Sequence, residues 1–387
     1  MTKTKKTILF LHRWLGFITG LVVFIVSITG CLFCFQDEIQ DALCDYRKVE
    51  IQNKPFIAPS TLKQAALKQH AGATINYIYY YGKDRPAMVI VSHPKEGLRY
   101  VFMNPYTGVI THTENPSTNF FVVVEFIHLY LLLPAKIGGM VVGISIIIFV
   151  AIMITGIILW WPKRKSDRKR SFTIKWNGRW RRVNYDLHNV LGFYATSITI
   201  ILAITGLSIS FDWVREGLYK TANLGGNYAA EKIVPKSDSL LKSKIITGQP
   251  VMDRAFAAAQ AQSPKAEMFL IYVDDAAAGI VGVTAYAEAL HFYKSDEYTF
   301  DKYTGNLLKT LPHTKKSPGM KLNDMNYDIH VGQVLGITGK IIAFSASLIC
   351  ASLPITGFII WWGKRKKPKK NKAREVTHRK LEKQLAR

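Results

Sequence analysis

Four long apolar segments alternate with polar and charged segments along the chain. Each apolar segment exceeds the roughly 20 residues that an α-helix needs to cross a bilayer. The pattern therefore predicts four transmembrane helices. Their approximate bounds are Ile8–Phe35, Ile137–Trp161, Val190–Phe211 and Val334–Trp362.

The two long polar regions, 36–118 and 212–325, contain shorter predicted elements than the apolar segments. Each begins with an Ala- and Gln-rich helical stretch, continues with runs typical of strands, and ends on a Tyr-Thr-Gly turn. We therefore predict one small α+β module in each region. The predicted helices cover about 60–71 and 250–262, and the predicted strands are Ile75–Tyr81, Ala87–Ser92, Arg99–Asn104, Met268–Val273, Ile280–Ala285 and Ala289–Phe300.

The positive charge lies next to the apolar segments. The net charge is +24, and residues 1–13, 163–182 and 363–387 hold four, ten and twelve of the 51 Lys and Arg residues. The positive-inside rule places these three stretches, and both termini, in the cytoplasm. This location accounts for the charge without a nucleic-acid partner. The four cysteines are too few for a disulfide framework in a chain of 387 residues.

The spans repeat in pairs. Ser27–Gly30 (SITG) matches Ala203–Gly206 (AITG) with an offset of 176, and Ile154–Trp161 (ITGIILWW) matches Ile355–Trp362 (ITGFIIWW) with an offset of 201. Each half crosses the membrane out and back, so we predict two parallel repeats. Their pseudo-twofold axis should lie along the membrane normal.

Four histidines occupy equivalent places at the ends of the spans: His12 and His188, then His128 and His330. An imidazole there is costly to bury and normally marks function. A twofold axis would make His12 face His188 near the inner surface, and His128 face His330 near the outer surface. Facing imidazoles suit the two axial positions of a haem iron. The alternatives are histidines that only join helices and, less favoured, a bare metal site.

Two features qualify the haem prediction. A continuous helix from His128 to Trp161 would be about 50 Å long, which places the outer pair at or above the membrane surface unless the chain bends at Pro134. A haem also needs a flat slot and cations for its propionates. The candidate slot residues are Gly16 and Gly192, and the candidate cations are Arg13, Arg182, Lys136 and Lys340.

The sequence resembles the PepSY-associated transmembrane family over about residues 8–365. The resemblance rests on HRWLG at the first span, YDLHNVLG at 185–192, IHVGQVLG at 329–336, the ITG and WW span ends, and the YTG modules. It implies an inner-membrane bacterial protein with two b-type haems held by His12, His188, His128 and His330. It further implies that electrons from a cytoplasmic flavin or flavoprotein cross the bilayer and reduce a periplasmic ferric siderophore.

The sequence thus predicts an integral membrane α-helical protein with four main transmembrane helices and two periplasmic PepSY-like modules. We expect an oxidoreductase, a haem-dependent ferric-siderophore reductase; the alternative is a non-catalytic membrane anchor or sensor that binds a periplasmic protein. The predicted organisation is N-terminus and first span 1–36, first module 37–118, outer-side helix and second span 119–162, basic loop 163–184, third span 185–213, second module 214–325, fourth span 326–362, and basic tail 363–387.

Overall fold

The computed structural model describes residues 2–162, 164–240 and 248–365. Most of the predicted basic tail, 363–387, therefore lies outside the described residues. The helices are α1 Lys3–Cys34, α2 Gln36–Leu43, α3 Pro59–Gln69, α4 Phe120–Tyr130, α5 Ala135–Trp160, α6 Arg168–Phe172, α7 Trp180–Asp186, α8 Gly192–Ser210, α9 Asp212–Ala222, α10 Ala229–Lys232, α11 Val251–Gln262, α12 Pro318–His330 and α13 Gly336–Arg365. The strands are β1 Thr74–Tyr80, β2 Ala87–His93, β3 Gly97–Met103, β4 Ile110–Glu114, β5 Met268–Val273, β6 Ile280–Tyr286, β7 Ser295–Asp301 and β8 Leu307–Leu311.

Four helical segments are long and apolar enough to cross a membrane: Lys3–Cys34, Ala135–Trp160, Trp180–Ser210 and Gln333–Lys364. They form a four-helix bundle in which α1 packs against α5 and α13, and α8 packs against the same two helices. Helices α1 and α8 are thus diagonal partners across the bundle axis. Leu21, Ile18 and other large apolar side chains point outward from the bundle, as expected where lipid replaces water as the surrounding medium.

All eight strands form one antiparallel sheet in the order β4-β3-β2-β1-β5-β6-β7-β8. Each half of the chain contributes four strands, and the halves join where β1 pairs with β5 through Ile78 opposite Ile271. This pairing removes the unpaired edge that each four-stranded module would otherwise expose. Helices α3 and α11 cover one face of the sheet and form its hydrophobic core with the inward-facing strand residues.

The second face of the sheet is directed toward the bundle. Asp41 in α2 holds Arg85 of the β1–β2 connection at 2.6 Å, and it also binds Arg47 at 2.7 Å. Asp328 in α12 is fully buried and accepts hydrogen bonds from the backbone N–H groups of Phe292 and Tyr293. These two carboxylates fasten the sheet to one end of the bundle, which we call the upper end.

The chain breaks before the second and fourth spans. Helix α4 ends at Tyr130, Leu131 and Leu132 adopt left-handed backbone conformations, and α5 begins at Ala135 after Pro134. A left-handed Leu is unusual because its side chain clashes with its own backbone. The 50 Å continuous helix is therefore not formed. The bend lets α4 fold beside α1 and brings His128 into the bundle.

Candidate functional site

The lower pair of histidines, His12 and His188, meets across the bundle. Helix α1 carries His12, and a π-helical turn at Leu187–Leu191 carries His188. The two ring centroids are 6.5 Å apart and the ring planes are perpendicular. Single π-helical turns inside α-helices are frequently found at functional sites, because the extra residue redirects one side chain.

The upper pair, His128 and His330, lies beneath the sheet. The two residues stand near the ends of α4 and α12, and their ring centroids are 6.1 Å apart with an angle of 68° between the planes. The structure thus brings together the same pairs that the internal repeat predicts from the sequence.

The separation of the rings fits two ligands on one metal ion. Two metal–nitrogen bonds of about 2.0–2.1 Å and two ring-centre-to-nitrogen distances of about 1.1 Å place facing imidazole centres about 6.3 Å apart. The observed separations are 6.5 and 6.1 Å. All hydrogen bonds found for the four rings engage Nδ1. The donor set therefore suits axial ligation through Nε2.

Each histidine rests on a Thr-Gly pair from a neighbouring span. In all four seats the distance from the imidazole Nδ1 to a threonine Oγ1 is 3.0 Å. The pairs are His12 with Thr155, His128 with Thr29, His188 with Thr356, and His330 with Thr205. The glycine that follows each threonine leaves room for the ring. A Cβ atom there would stand 2.9–3.4 Å from the imidazole Cε1 atom.

Helix geometry sets the spacing of the two pairs. His12 and Thr29 on α1, like His188 and Thr205 on α8, are seventeen residues apart (12 to 29 and 188 to 205). At 1.5 Å per residue this corresponds to about 25 Å along the bundle. A buried apolar cluster occupies the interval and takes one or two residues from each span. Its members are Val23, Phe149, Met153, Ala203 and Cys350.

The predicted slot glycines have different surroundings. Gly16 lies one turn above His12, and a Cβ added to it would have no heavy atom within 4 Å. At Gly192 an added Cβ would contact the side chain of Leu353 at 3.4 Å. Gly16 therefore borders open space beside the lower pair, whereas Gly192 lets α8 approach α13.

The four predicted cations also differ. Arg182 forms an ion pair with the buried Asp186 at 2.7 Å, and the buried Lys340 binds Glu38 at 2.8 Å. Arg13 lies 5.9 Å from the centre of the Phe10 ring. Lys136 is exposed. Two of the four cations are thus already neutralised by carboxylates of this chain.

Sequence reasoning missed the residues that seat the histidines. The ITG motifs at 28–30, 154–156, 204–206 and 355–357 were used to align the halves and to support the resemblance, although the recurrence of the motif in every span was the available signal. Two buried asparagines were also missed. Asn184 and Asn326 each stand four residues before a histidine and donate to the backbone carbonyls of Thr356 and Thr205 at 3.1 Å.

The remaining histidines of the modules have other surroundings. His112 stacks on Tyr46 with ring centroids 3.9 Å apart. Burial lowers the pKa of His313, and the nearby Lys321 and Lys316 lower it further. Within the described ranges, no group of three or more His, Cys, Asp or Glu residues could hold a metal ion. The paired histidines are therefore the candidate ligands that geometry brings together.

A groove of about 500 Å³ opens between α3 and α11, lined by Lys63, Val251 and Lys302 among others. The groove lies on the face of the sheet that is turned away from the bundle. The sheet therefore separates it from the upper histidine pair.

The two carboxylates that join the sheet to the bundle have pKa values shifted in opposite directions. Burial raises the pKa of Asp41, but the hydrogen bonds and charges of Arg85 and Arg47 outweigh burial, so its pKa is below the ordinary value. Burial raises the pKa of Asp328, and the N–H groups of Tyr293 and Phe292 oppose this only in part.

Comparison with known proteins gives one family. The profile of the PepSY-associated TM region matches residues 9–364, which is nearly the whole chain. No curated protein matches the chain significantly. The match covers both histidine pairs, the last three spans and most of the first. On this evidence, the chain is a membrane protein that belongs to the PepSY-associated transmembrane family.

Proposed function

We propose that this protein is a di-haem electron conduit that reduces a ferric siderophore on the outer side of a bacterial inner membrane. The observation that carries the proposal is the pair of facing imidazoles at each end of the bundle, with ring centroids 6.5 and 6.1 Å apart. Haem iron, when bound, supplies reversible one-electron chemistry between Fe(III) and Fe(II).

Each half of the chain would contribute one histidine ligand to each haem. His12 and His128 come from the first half, and His188 and His330 from the second. Two b-type haems would thus hold the halves together at both ends of the bundle. Arg13 near the lower pair and Lys136 near the upper pair would bind propionates, because Arg182 and Lys340 already bind carboxylates.

The apolar cluster between the two pairs supports the separation of electron and proton movement. The side chains of Val23, Phe149 and Met153 are at most 7% exposed at mid-bundle, so they leave little room for a chain of water molecules there. Protons cross a membrane protein along water or ionisable side chains. The cluster would therefore keep the two aqueous sides apart while electrons pass.

The basic segments support the orientation. In the described part of the basic loop, Arg164, Lys165 and Lys175 lie between the second and third spans. The positive-inside rule places this loop, and the lower pair, on the cytoplasmic side. A negatively charged flavoprotein, or a free flavin, would donate electrons there. The sheet and the upper pair would then face the periplasm, where iron release follows because siderophore oxygens bind Fe(II) weakly.

Reconstituted vesicles test the proposal. A reductant is enclosed on the side of the lower pair, and a ferric hydroxamate or ferric catecholate is added to the other side. We expect iron reduction by the wild type, and loss of reduction in His188→Ala and His330→Ala. His93→Ala serves as the matched control, because His93 ends β2 and its ring contacts the backbone carbonyl of Ala71 within the same module. Equal rates in all four proteins would refute the proposal and favour the anchor or sensor function.

A further inference from the structure

Each span contains one ITG motif that contacts one of the four histidines, and α1 and α13 each contain a second ITG copy, at 18–20 and 337–339, that is not part of these contacts. The motif in α5 contacts His12 and that in α1 contacts His128; the motif in α13 contacts His188 and that in α8 contacts His330. In each half, therefore, one contact joins the two spans, and the other joins the helix before the second span, α4 or α12, to the first span of that half. We call Thr29, Thr155, Thr205 and Thr356 the motif threonines.

The motif threonines use their own protons elsewhere. Thr29 Oγ1 donates to the carbonyl of Ile25 at 2.8 Å, and Thr205 Oγ1 donates to that of Ile201 at 2.8 Å. Thr155 and Thr356 do the same toward carbonyls of their own helices at 2.9 Å. A hydroxyl has one proton and can still accept hydrogen bonds. The imidazole Nδ1 must therefore be the donor to the threonine oxygen.

Contacts with backbone carbonyls show independently that Nδ1 is the hydrogen-bond donor. Nδ1 of His12 lies 3.1 Å from the carbonyl oxygen of Ile152, and Nδ1 of His330 lies 2.9 Å from that of Leu202. A carbonyl oxygen can only accept. Nδ1 carries the proton in both rings for that reason, whatever the orientation of the threonine hydroxyls.

We propose that the motif threonines are positioning residues that, together with the backbone carbonyls of Ile152 and Leu202, hold all four histidines as the Nδ1–H tautomer, so that Nε2 would be the ligating atom in each. The inference rests on the proposed function for the identity of the metal group, but the tautomer itself is a property of the chain. In a neutral imidazole only the unprotonated nitrogen can bind a metal. A hydrogen bond from the other nitrogen also raises the basicity of the ligand.

The motif glycine completes the seat. Cε1 is the ring atom between the two nitrogens, and a Cβ on the motif glycine would approach it closely. The distances are 2.9 Å for Gly206, 3.2 Å for Gly357, 3.3 Å for Gly30 and 3.4 Å for Gly156. A larger residue would rotate the ring and turn Nε2 away from the facing histidine.

The second half has an additional support. Asn184 and Asn326 donate to the carbonyl of the motif threonine that contacts the histidine four residues later. The residues four positions before His12 and His128 are Ile8 and Val124, which have no such donor. Each seat of the second half therefore has an asparagine hydrogen bond that the seats of the first half lack.

Removal of one hydroxyl tests the inference. Thr205→Val keeps the volume of the side chain but loses the acceptor, and Thr205→Ser restores the acceptor. Thr196→Val is the matched control, because Thr196 Oγ1 on the same helix also donates to a carbonyl four residues earlier, at 2.6 Å, and has no histidine as a partner. Loss of the outer hydrogen bond of a metal ligand typically lowers metal affinity 10–100-fold.

Three measurements are made on the full-length protein. Haem titration should show about 10–100-fold weaker binding at one of two sites in Thr205→Val, and wild-type affinity in Thr205→Ser and Thr196→Val. A redox titration should show a higher midpoint potential for the upper haem alone, since a less basic ligand stabilises Fe(III) less. Nitrogen NMR of the haem-free protein with ¹⁵N-labelled histidine should show His330 as the Nδ1–H tautomer.

The outcomes separate the inference from the proposed function. If wild-type protein takes up no haem, the proposed function fails, and the NMR measurement still decides the tautomer. If wild-type protein binds two haems but Thr205→Val equals it in affinity and potential, the inference fails and the proposed function stands. An Nε2–H signal for His330 in the haem-free protein would also overturn the inference.

Discussion

Replacement of Gly206 by alanine should release the upper haem while leaving the lower haem bound. An ideal Cβ at this position lies 2.9 Å from Cε1 of His330 and 3.6 Å from its Nε2. Ordinary carbon–carbon contacts lie at about 3.5–4.0 Å, so the imidazole must move by more than half an ångström. Metal sites tolerate roughly half an ångström of misplacement.

The size of the effect follows from the bonds that hold the ring. Nδ1 of His330 is bound to Thr205 at 3.0 Å and to the carbonyl of Leu202 at 2.9 Å. Two hydrogen bonds of about 0.5–1.5 kcal/mol each give about 1–3 kcal/mol, which lowers affinity about 5- to 150-fold. Helix propensity acts in the opposite direction, because alanine stabilises a helix relative to glycine by about 1 kcal/mol.

Haem titration and absorption spectra provide the assay. Gly206→Ala should bind one haem tightly instead of two, and Gly156→Ala, whose Cβ would lie 3.4 Å from His12, should lose less affinity at the lower site. Gly217→Ala is the control, since an added Cβ meets no atom within 4 Å there. Two tightly bound haems in Gly206→Ala would refute the proposed seat of His330.

Three further predictions concern the lower site, the seats of the second half and the attachment of the sheet. Gly16→Leu should fill the open space beside His12 and remove the lower haem, with an unchanged melting temperature of the haem-free protein; an unchanged haem content would contradict this. Asn326→Leu should weaken upper haem binding, whereas Val124→Leu, at the equivalent place of the first half, should not; equal effects would contradict the additional support. Asp41→Asn should lower the melting temperature at neutral pH. The pKa of Asp41 is depressed in the folded state, so the stability that it contributes is present above the ordinary Asp pKa of about 3.9 and is lost as the pH falls through the folded pKa. The melting temperatures of wild type and variant should therefore converge at acidic pH. A constant difference down to acidic pH would refute the role of the Asp41 ion pairs.

Local pattern was sufficient to predict the spans and most strands. The third predicted strand of the first module, Arg99–Asn104, is Gly97–Met103 in the structure, and the span predicted at Val334–Trp362 is α13 with a preceding turn. Apolar length and alternation depend on neighbouring residues, which is why they can be read from sequence. The short strands β4 and β8 were missed, because their mixed burial gives no clear alternation.

Contacts between distant residues could not be predicted in the same way. The join between β1 and β5 connects segments almost 200 residues apart, and no local signal says which strand edge is paired. The ion pair of Lys340 with Glu38 spans 302 residues, and it changes a predicted propionate ligand into a residue that is already paired. Only the internal repeat supplied long-range information, and it predicted the facing histidines.

The spectrum of the purified full-length protein, oxidised and then reduced with dithionite, tests the central claim most directly. With the porphyrin content measured on the same sample, we predict two six-coordinate, low-spin b-type haems per chain. His12→Ala and His128→Ala should each abolish the spectrum of one haem and leave that of the other. A protein from haem-replete cells that contains no haem, or whose haem content is unchanged in both variants, would contradict ligation by the paired histidines.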